Sequence, residues 1–173
     1  MKTISSEVLP LDVERLIETM NQALSEEWLA YYQYWIGARV IEGPLRPDVE
    51  KELIEHANEE LGHAEKLVER IVQLGGTPVL APTQWIAMAE CQYLAPTDPS
   101  VQQILAQNIS SERCAIKRYQ ELAAYTEGKD YTTFKIVVEI LEEELEHENE
   151  LIGFQSDIAA MIESIGARIM QQA

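Results

Sequence analysis

Four glutamates sit where amphipathic helices should carry apolar side chains, and they recur in both halves of the chain with the same companions. The first half holds Glu27 and, 33 residues later, Glu60 with His63 three positions beyond it. The second half holds Glu112 and, 32 residues later, Glu144 with His147 three positions beyond it. Aligned on these residues, SEEWLAYYQY lies over SSERCAIKRY and EELGHAEKL lies over EELEHENEL, so the shared letters gather around the acids and histidines. Residues three apart share a helix face, so each Glu-x-x-His presents a carboxylate and an imidazole together. Such a pattern demands a fold that brings four helix faces to one point.

The rest of the sequence supplies those helices. From Leu11 to about Ile41 the stripe Val13, Leu16, Ile17, Met20, Leu24, Tyr31 and Tyr34 advances by threes and fours. Gly43-Pro44 stops it, and Pro47-Asp48 reads as the next N-terminus. A second helix over 48–74 uses Val49, Leu53, His56, Leu67, Ile71 and Leu74, and Gly75-Gly76 ends it. A short helix is expected at 84–94 within a proline-bounded connection, then long helices at 100–127 and 131–164, the last capped by Asp130 or Thr132. Strand signals are absent. The spacing therefore predicts an all-α chain: an antiparallel four-helix bundle, one domain over residues 1–173, with a long connection carrying a short helix between helices two and three.

Glu27, Glu60, His63, Glu112, Glu144 and His147 all fall on the apolar stripes and so point into the core. Ionised carboxylates are rarely buried unpaired, and none of the 13 Lys and Arg falls on these stripes near the acids. Two divalent cations would neutralise the four acids. A shift of one position would put Glu26, Glu59 and Glu143 inward instead. The repeat and the i,i+3 geometry favour Glu27, Glu60 and Glu144, leaving those neighbours as solvated acids on outer faces. A net charge of -17 disfavours nucleic acid, which needs a basic face. No apolar run is long enough to span a membrane, and the N-terminus lacks the order of a signal peptide, so a cytoplasmic protein is expected.

Over essentially the whole chain these residues resemble the ferritin-like superfamily, and the six donors follow the bacterioferritin pattern. The resemblance implies two iron ions per subunit, with Glu60 and Glu144 bridging, Glu27 and Glu112 as terminal ligands, and His63 and His147 completing each ion. The same donors would accept manganese or zinc. It implies too that Tyr34 and Tyr119, each seven residues after a lone Glu, hydrogen-bond the ligands or donate an electron; the alternative is amphipathic core tyrosines. Leu61 stands where bacterioferritins carry a haem-ligating Met, so no haem and no other cofactor is expected.

The connecting segment WIAMAECQYL is similar to the extra helix of Dps, the mini-ferritins that protect DNA, although the inter-subunit ligand set of Dps is missing. Together with Cys91 and Cys114 this looks like the thioferritin group, which implies a redox-active or disulfide-bonded pair beside the di-iron site. The alternative is two buried small hydrophobes. A step of two residues from Glu112 turns Cys114 away from the acid-bearing side, placing any contact with Cys91 on the bundle's flank. His56 reads as a satisfied core histidine, with a role on an iron route as the alternative.

The function implied is Fe(II) oxidation by hydrogen peroxide or dioxygen, with ferric mineral stored in a homo-oligomeric shell, twelve subunits rather than twenty-four, as protection against oxidative stress. Two competing readings are a di-metal oxidase or peroxidase without storage, related to manganese catalase or rubrerythrin, and a metal-free helical interaction protein.

Overall fold

The computed structural model describes the backbone of residues 8–172 and the side chains of 8–170. Helix α1 spans Val13–Val40, started by Asp12, whose carboxylate accepts the Arg15 N–H at 3.1 Å. Helix α2 spans Arg46–Gln73 with Pro47 in its first turn, where a missing N–H costs nothing. Gly75 adopts the left-handed backbone that ends α2 (φ 82°), and the Gly76 N–H returns to the Ile71 carbonyl at 2.9 Å. After a 3-10 turn at Pro82–Gln84 comes the short α3, Trp85–Met88; α4 spans Val101–Thr126 and α5 spans Tyr131–Gln172. Of the two candidate caps, Asp130 is the one used, accepting the Thr133 N–H at 3.1 Å.

The expected bounds of α1, α2 and α4 agree with the structure to within two residues, but two other ends do not. α3 stops at Met88 rather than 94, because buried side chains of α1 capture the backbone donors that a helix would use. Glu26 Oε1 accepts the N–H groups of Glu90 (2.8 Å) and Cys91 (3.3 Å), and Gln33 Oε1 accepts that of Leu94 (2.7 Å). α5 runs on to Gln172 rather than 164. Its extra turns continue the apolar spacing at Ile165 and Ile169, and both residues are exposed.

α1 packs on α2 and α4 on α5 as two hairpins, and the hairpins meet through α1·α4 and α2·α5. The long connection is laid along α1. Asn21 holds Thr77 and Val79, Trp28 stacks on Trp85 with ring centres 5.4 Å apart, and the Glu42 carbonyl accepts the Val101 N–H at 2.8 Å. Apolar residues fill two separate layers of the bundle. One contains Leu16, Met20, Leu24, Leu67, Ile71 and Val137; the other contains Ala38, Leu53, Val101, Leu105 and Leu151. At the far end of the first layer, Arg70 of α2 is buried against Asp130 (2.8 Å) and Thr133 (2.8 Å) at the start of α5. Among the described residues no helix is long and apolar enough to cross a membrane.

Candidate metal centre

The six repeated residues converge between the two apolar layers. Each of the four helices delivers its inward-facing acid, and α2 and α5 add their histidines one turn on. All six are at most 2% exposed. His63 Nδ1 lies 3.3 Å from Glu27 Oε2, 3.2 Å from Glu60 Oε2 and 3.2 Å from Glu144 Oε1. His147 Nδ1 lies 3.5 Å from Glu60 Oε1, 3.8 Å from Glu112 Oε2 and 3.5 Å from Glu144 Oε2. Two four-residue donor groups result, Glu27/Glu60/His63/Glu144 and Glu60/Glu112/Glu144/His147, with donor atoms within 4.8 Å of one another in each. They share Glu60 and Glu144, each of which turns one oxygen toward either group. A carboxylate placed in this way can bridge two cations.

The electrostatics call for positive charge. Among the described residues no Lys or Arg pairs with any of these four acids, and Glu27 Oε2, Glu60 Oε1, Glu112 Oε2, both Glu144 oxygens and His147 Nδ1 are buried without a hydrogen-bond partner. Buried polar atoms normally have partners, so six orphans aimed at one spot fit a cation pair. Burial, reinforced by Glu60, pushes the Glu27 carboxyl well above the usual carboxylate range; burial and Glu144 do the same to Glu112. Burial opposes protonation of His63 and His147, but the surrounding carboxylates outweigh it and hold both imidazoles well above their usual range. Without a cation the cluster keeps protons, and divalent ions would displace them. Mixed carboxylate and imidazole donors suit Fe, Mn or Zn.

The donors are themselves held, always across the bundle. The Tyr34 hydroxyl donates to Glu112 Oε1 and the Tyr119 hydroxyl to Glu27 Oε1. His63 Nε2–H donates to Glu143 at 2.6 Å, and His147 Nε2–H donates to Glu59 at 2.8 Å. Carboxylates behind ligating histidines fix which nitrogen is free to coordinate. Glu59 and Glu143 are therefore not merely solvated acids of the outer faces, although each is nearly half exposed. The signal was present, since the two halves align these residues with each other as the first letter of EE-x-x-H.

Glu26 overturns the expectation outright. It is 5% exposed, forms a paired contact with the Arg118 guanidinium (3.0 and 3.1 Å), and clamps the backbone of Glu90 and Cys91. No sequence signal marked it, because its counterpart in the repeat is Ser111. Through this clamp Cys91 meets Cys114, and the two are joined as a disulfide with Cα atoms 5.7 Å apart. The bridge is not remote from the acids. Cys91 lines the same small cavity as Glu27, Glu60, Glu112 and Glu144, between α1 and α4. His56 is buried one turn before Glu60, but only half satisfied: its Nε2 meets Glu150 while its Nδ1 has no partner. Burial, then the neighbouring His147, push its pKa down to about 4.

The Ferritin-like domain family matches residues 17–161. The DNA protection during starvation protein of Pyrococcus furiosus is 39% identical over 141 residues, covering 80% of this chain and 75% of that protein. The bacterioferritin of Rhodobacter capsulatus is 31% identical over 111 residues, covering 64% of this chain and 63% of its own length. Among solved structures, a dodecameric thioferritin, the bacterioferritin-related protein of Bacteroides fragilis, superposes with a TM-score of 0.92 at 54% identity, over 92% of this chain and 96% of that one. With four helices, a short helix in the connection and matches of this extent, the chain belongs to the ferritin-like domain family.

Proposed function

We propose that this protein oxidises Fe(II) at a dinuclear site within each chain and stores the ferric product inside a homo-oligomeric shell. The observation that carries this reading is the pair of donor groups sharing Glu60 and Glu144, buried and without any Lys or Arg among the described residues. Two Fe(II) ions are the substrate, held by Glu27 with His63 and by Glu112 with His147, and spanned by the two shared carboxylates. Hydrogen peroxide is the proposed oxidant: two Fe(II) each give up one electron, the O–O bond breaks, and two protons complete two waters. The likeness to a dodecameric thioferritin supports twelve copies as the assembly. Removing Fe(II) and peroxide together would protect a cell from their reaction with each other.

Within this scheme the residues of the chain have separate tasks. Tyr34 and Tyr119 orient the terminal carboxylates, Glu59 and Glu143 orient the imidazoles, and the two apolar layers exclude water from either end. The test is an anaerobic Fe(II) load followed by one equivalent of peroxide per ion pair, or by dioxygen, with the ferric absorbance followed in time. Peroxide should oxidise two Fe(II) per molecule and outpace dioxygen, and Glu60→Ala with His63→Ala should abolish the fast phase. Unchanged rates in that variant would remove the site from the reaction. Gel filtration checks the shell: elution as a dimer would favour an oxidase that stores nothing.

A further inference from the structure

α5 runs on where the rest of the bundle stops. It has 42 residues against 26 in α4, its antiparallel neighbour. The start of α4 ends their shared packing: Val101 lies with Ile158 in the second apolar layer, and Gln102 borders a groove with Ile158, Ala159 and Ile162. Beyond that groove Ile162, Ile165 and Ile169 are 49%, 51% and 63% exposed. Their spacing of three and four puts them on one side of the helix. The tip also lies past residue 161, where the family match ends. Contiguous exposed apolar surface of this kind marks a contact.

Charge, the seam and its flanks each bear on what covers this tip. Glu163 and Arg168 are the only charged side chains of 158–173, so the tip is neutral on a chain of net charge -17. Copies of so acidic a protein repel one another over most of their surface and least here. Read as a heptad, Ile162 and Ile169 take the a positions and Ile165 the d position between them. Isoleucine at both a and d favours three or four helices over two. Ala159 and Gly166 then occupy e positions, while Met161 and Arg168 occupy g positions. In parallel helices a g residue lies over the e residue five places on in the next chain, which sets Met161 above Gly166; antiparallel helices would set large against large. Glycine is unfavourable inside a helix, and a Cβ at Gly166 would meet nothing within 4 Å in this chain. A neighbouring helix gives that glycine a use.

We propose that the α5 tips of three copies meet as a short parallel coiled coil about a three-fold axis, with Ile162, Ile165 and Ile169 inward and Met161 of each copy seated over Gly166 of the next. Such a contact is heterologous and closes into a ring. A seam this short could not hold free peptides together. Each helix here is already formed and anchored in its bundle, so little ordering cost opposes the contact. Three rather than four rests on the twelve-copy shell proposed above, because a tetrahedral arrangement of twelve equivalent copies has three-fold axes and no four-fold ones. The seam and its register do not depend on that shell.

The experiment places one new thiol at the tip. Met170 is 83% exposed and sits at a b position outside the coil, so Met170→Cys leaves the seam whole. Cys91 and Cys114 are joined to each other, and a three-armed flexible maleimide therefore reads the new position alone. Dilute assembled protein should convert almost wholly to a product of three chains. Chains that are modified but single, or linked only in twos, would overturn the proposal. A quarter of the chains left unlinked at saturation would mean a four-fold contact and would overturn it as well. Adding Ile162→Asp should abolish the three-chain product, and an undiminished yield would remove the seam. Gly166→Leu separates the contact from helix stability: it favours the isolated helix, yet it should cut the yield many-fold by filling the notch beneath Met161. An unchanged or higher yield there would refute the parallel register. Gel filtration keeps this contact apart from the shell. The three-chain product from particles no larger than a trimer would refute the shell alone; a large shell without the product would refute this contact alone.

Discussion

Removing Glu26 should loosen the disulfide without touching either sulfur. Its carboxylate holds the N–H groups of Glu90 at 2.8 Å and Cys91 at 3.3 Å, and so fixes the backbone that carries Cys91 toward Cys114. A hydrogen bond to a charged group contributes about 1.5–3 kcal/mol. The Cys91 bond is long and the two share one oxygen, so we take about 2 kcal/mol for the pair. In Glu26→Ala that ordering must be supplied by the chain itself each time the thiols meet, so oxidation becomes less favourable. Two kcal/mol is roughly thirty-fold in the dithiol–disulfide equilibrium, or about 40 mV for a two-electron couple. Arg118 keeps its contact with Glu90 at 3.0 Å, which limits the wider damage. The assay equilibrates metal-free protein in glutathione buffers of graded potential and counts alkylated Cys91 and Cys114 by mass spectrometry. Glu26→Ala should read about 40 mV more oxidising than wild type, and Glu26→Gln, which retains an acceptor oxygen, should lie between them. A potential within about 10 mV of wild type, equivalent to less than about 0.5 kcal/mol, would refute the clamp as the device that presents Cys91.

Three further outcomes follow from contacts around the centre and at the end of the bundle. Glu59→Gln and Glu143→Gln each weaken the orienting bond behind one histidine, and Zn(II) affinity by calorimetry should drop about 10- to 100-fold; wild-type isotherms would mean that the histidines need no such support. Tyr34→Phe strips the hydroxyl from Glu112 Oε1, so the metal-free protein should lose about 1–3 kcal/mol in denaturant titrations, and a midpoint equal to wild type would deny the bond any energetic role. Asp130→Asn leaves Arg70 buried without its counter-charge, at a cost of about 3–5 kcal/mol near neutral pH. Burial resists ionisation of Asp130, but bonds from Thr133 and Arg70 outweigh it and hold its carboxyl below the usual aspartate range. Its contribution is therefore complete above the unfolded value of about 3.9 and is lost as pH falls through the lower folded value. The gap between wild type and variant should close only in that acid window, and a gap that narrowed above pH 5 would contradict the assignment.

The six inward residues were legible because each contradicts its own helix. A charged side chain on an apolar stripe is an anomaly that periodicity exposes, and the repeat states it twice. The helix bodies were legible from the same period. Glu26 was not, because its orientation is decided by Arg118, 92 residues away, and by two backbone donors in the connection. The same bonds explain why 89–94 reads as helix yet is not one: local propensity favours the helix, but a buried carboxylate and Gln33 offer those N–H groups better partners. The far end of α5 failed for a different reason. Ile165 and Ile169 keep helical spacing while facing solvent, so a stripe meant to mark a core extends beyond the bundle.

The cross-bundle contacts give the centre the logic of a fused dimer. The α1–α2 hairpin owns Glu27, Glu60 and His63, yet Tyr119 and Glu143, which steady them, belong to α4 and α5. The α4–α5 hairpin owns Glu112, Glu144 and His147, and depends in the same way on Tyr34 and Glu59. Neither hairpin alone has a full donor group or the supports for the donors it has. A chain cut within the connection would yield two inert fragments that regain the centre only by pairing. The same interdependence means that damage to either hairpin is felt at both donor groups, so the two cannot be tuned independently by substitution on one side.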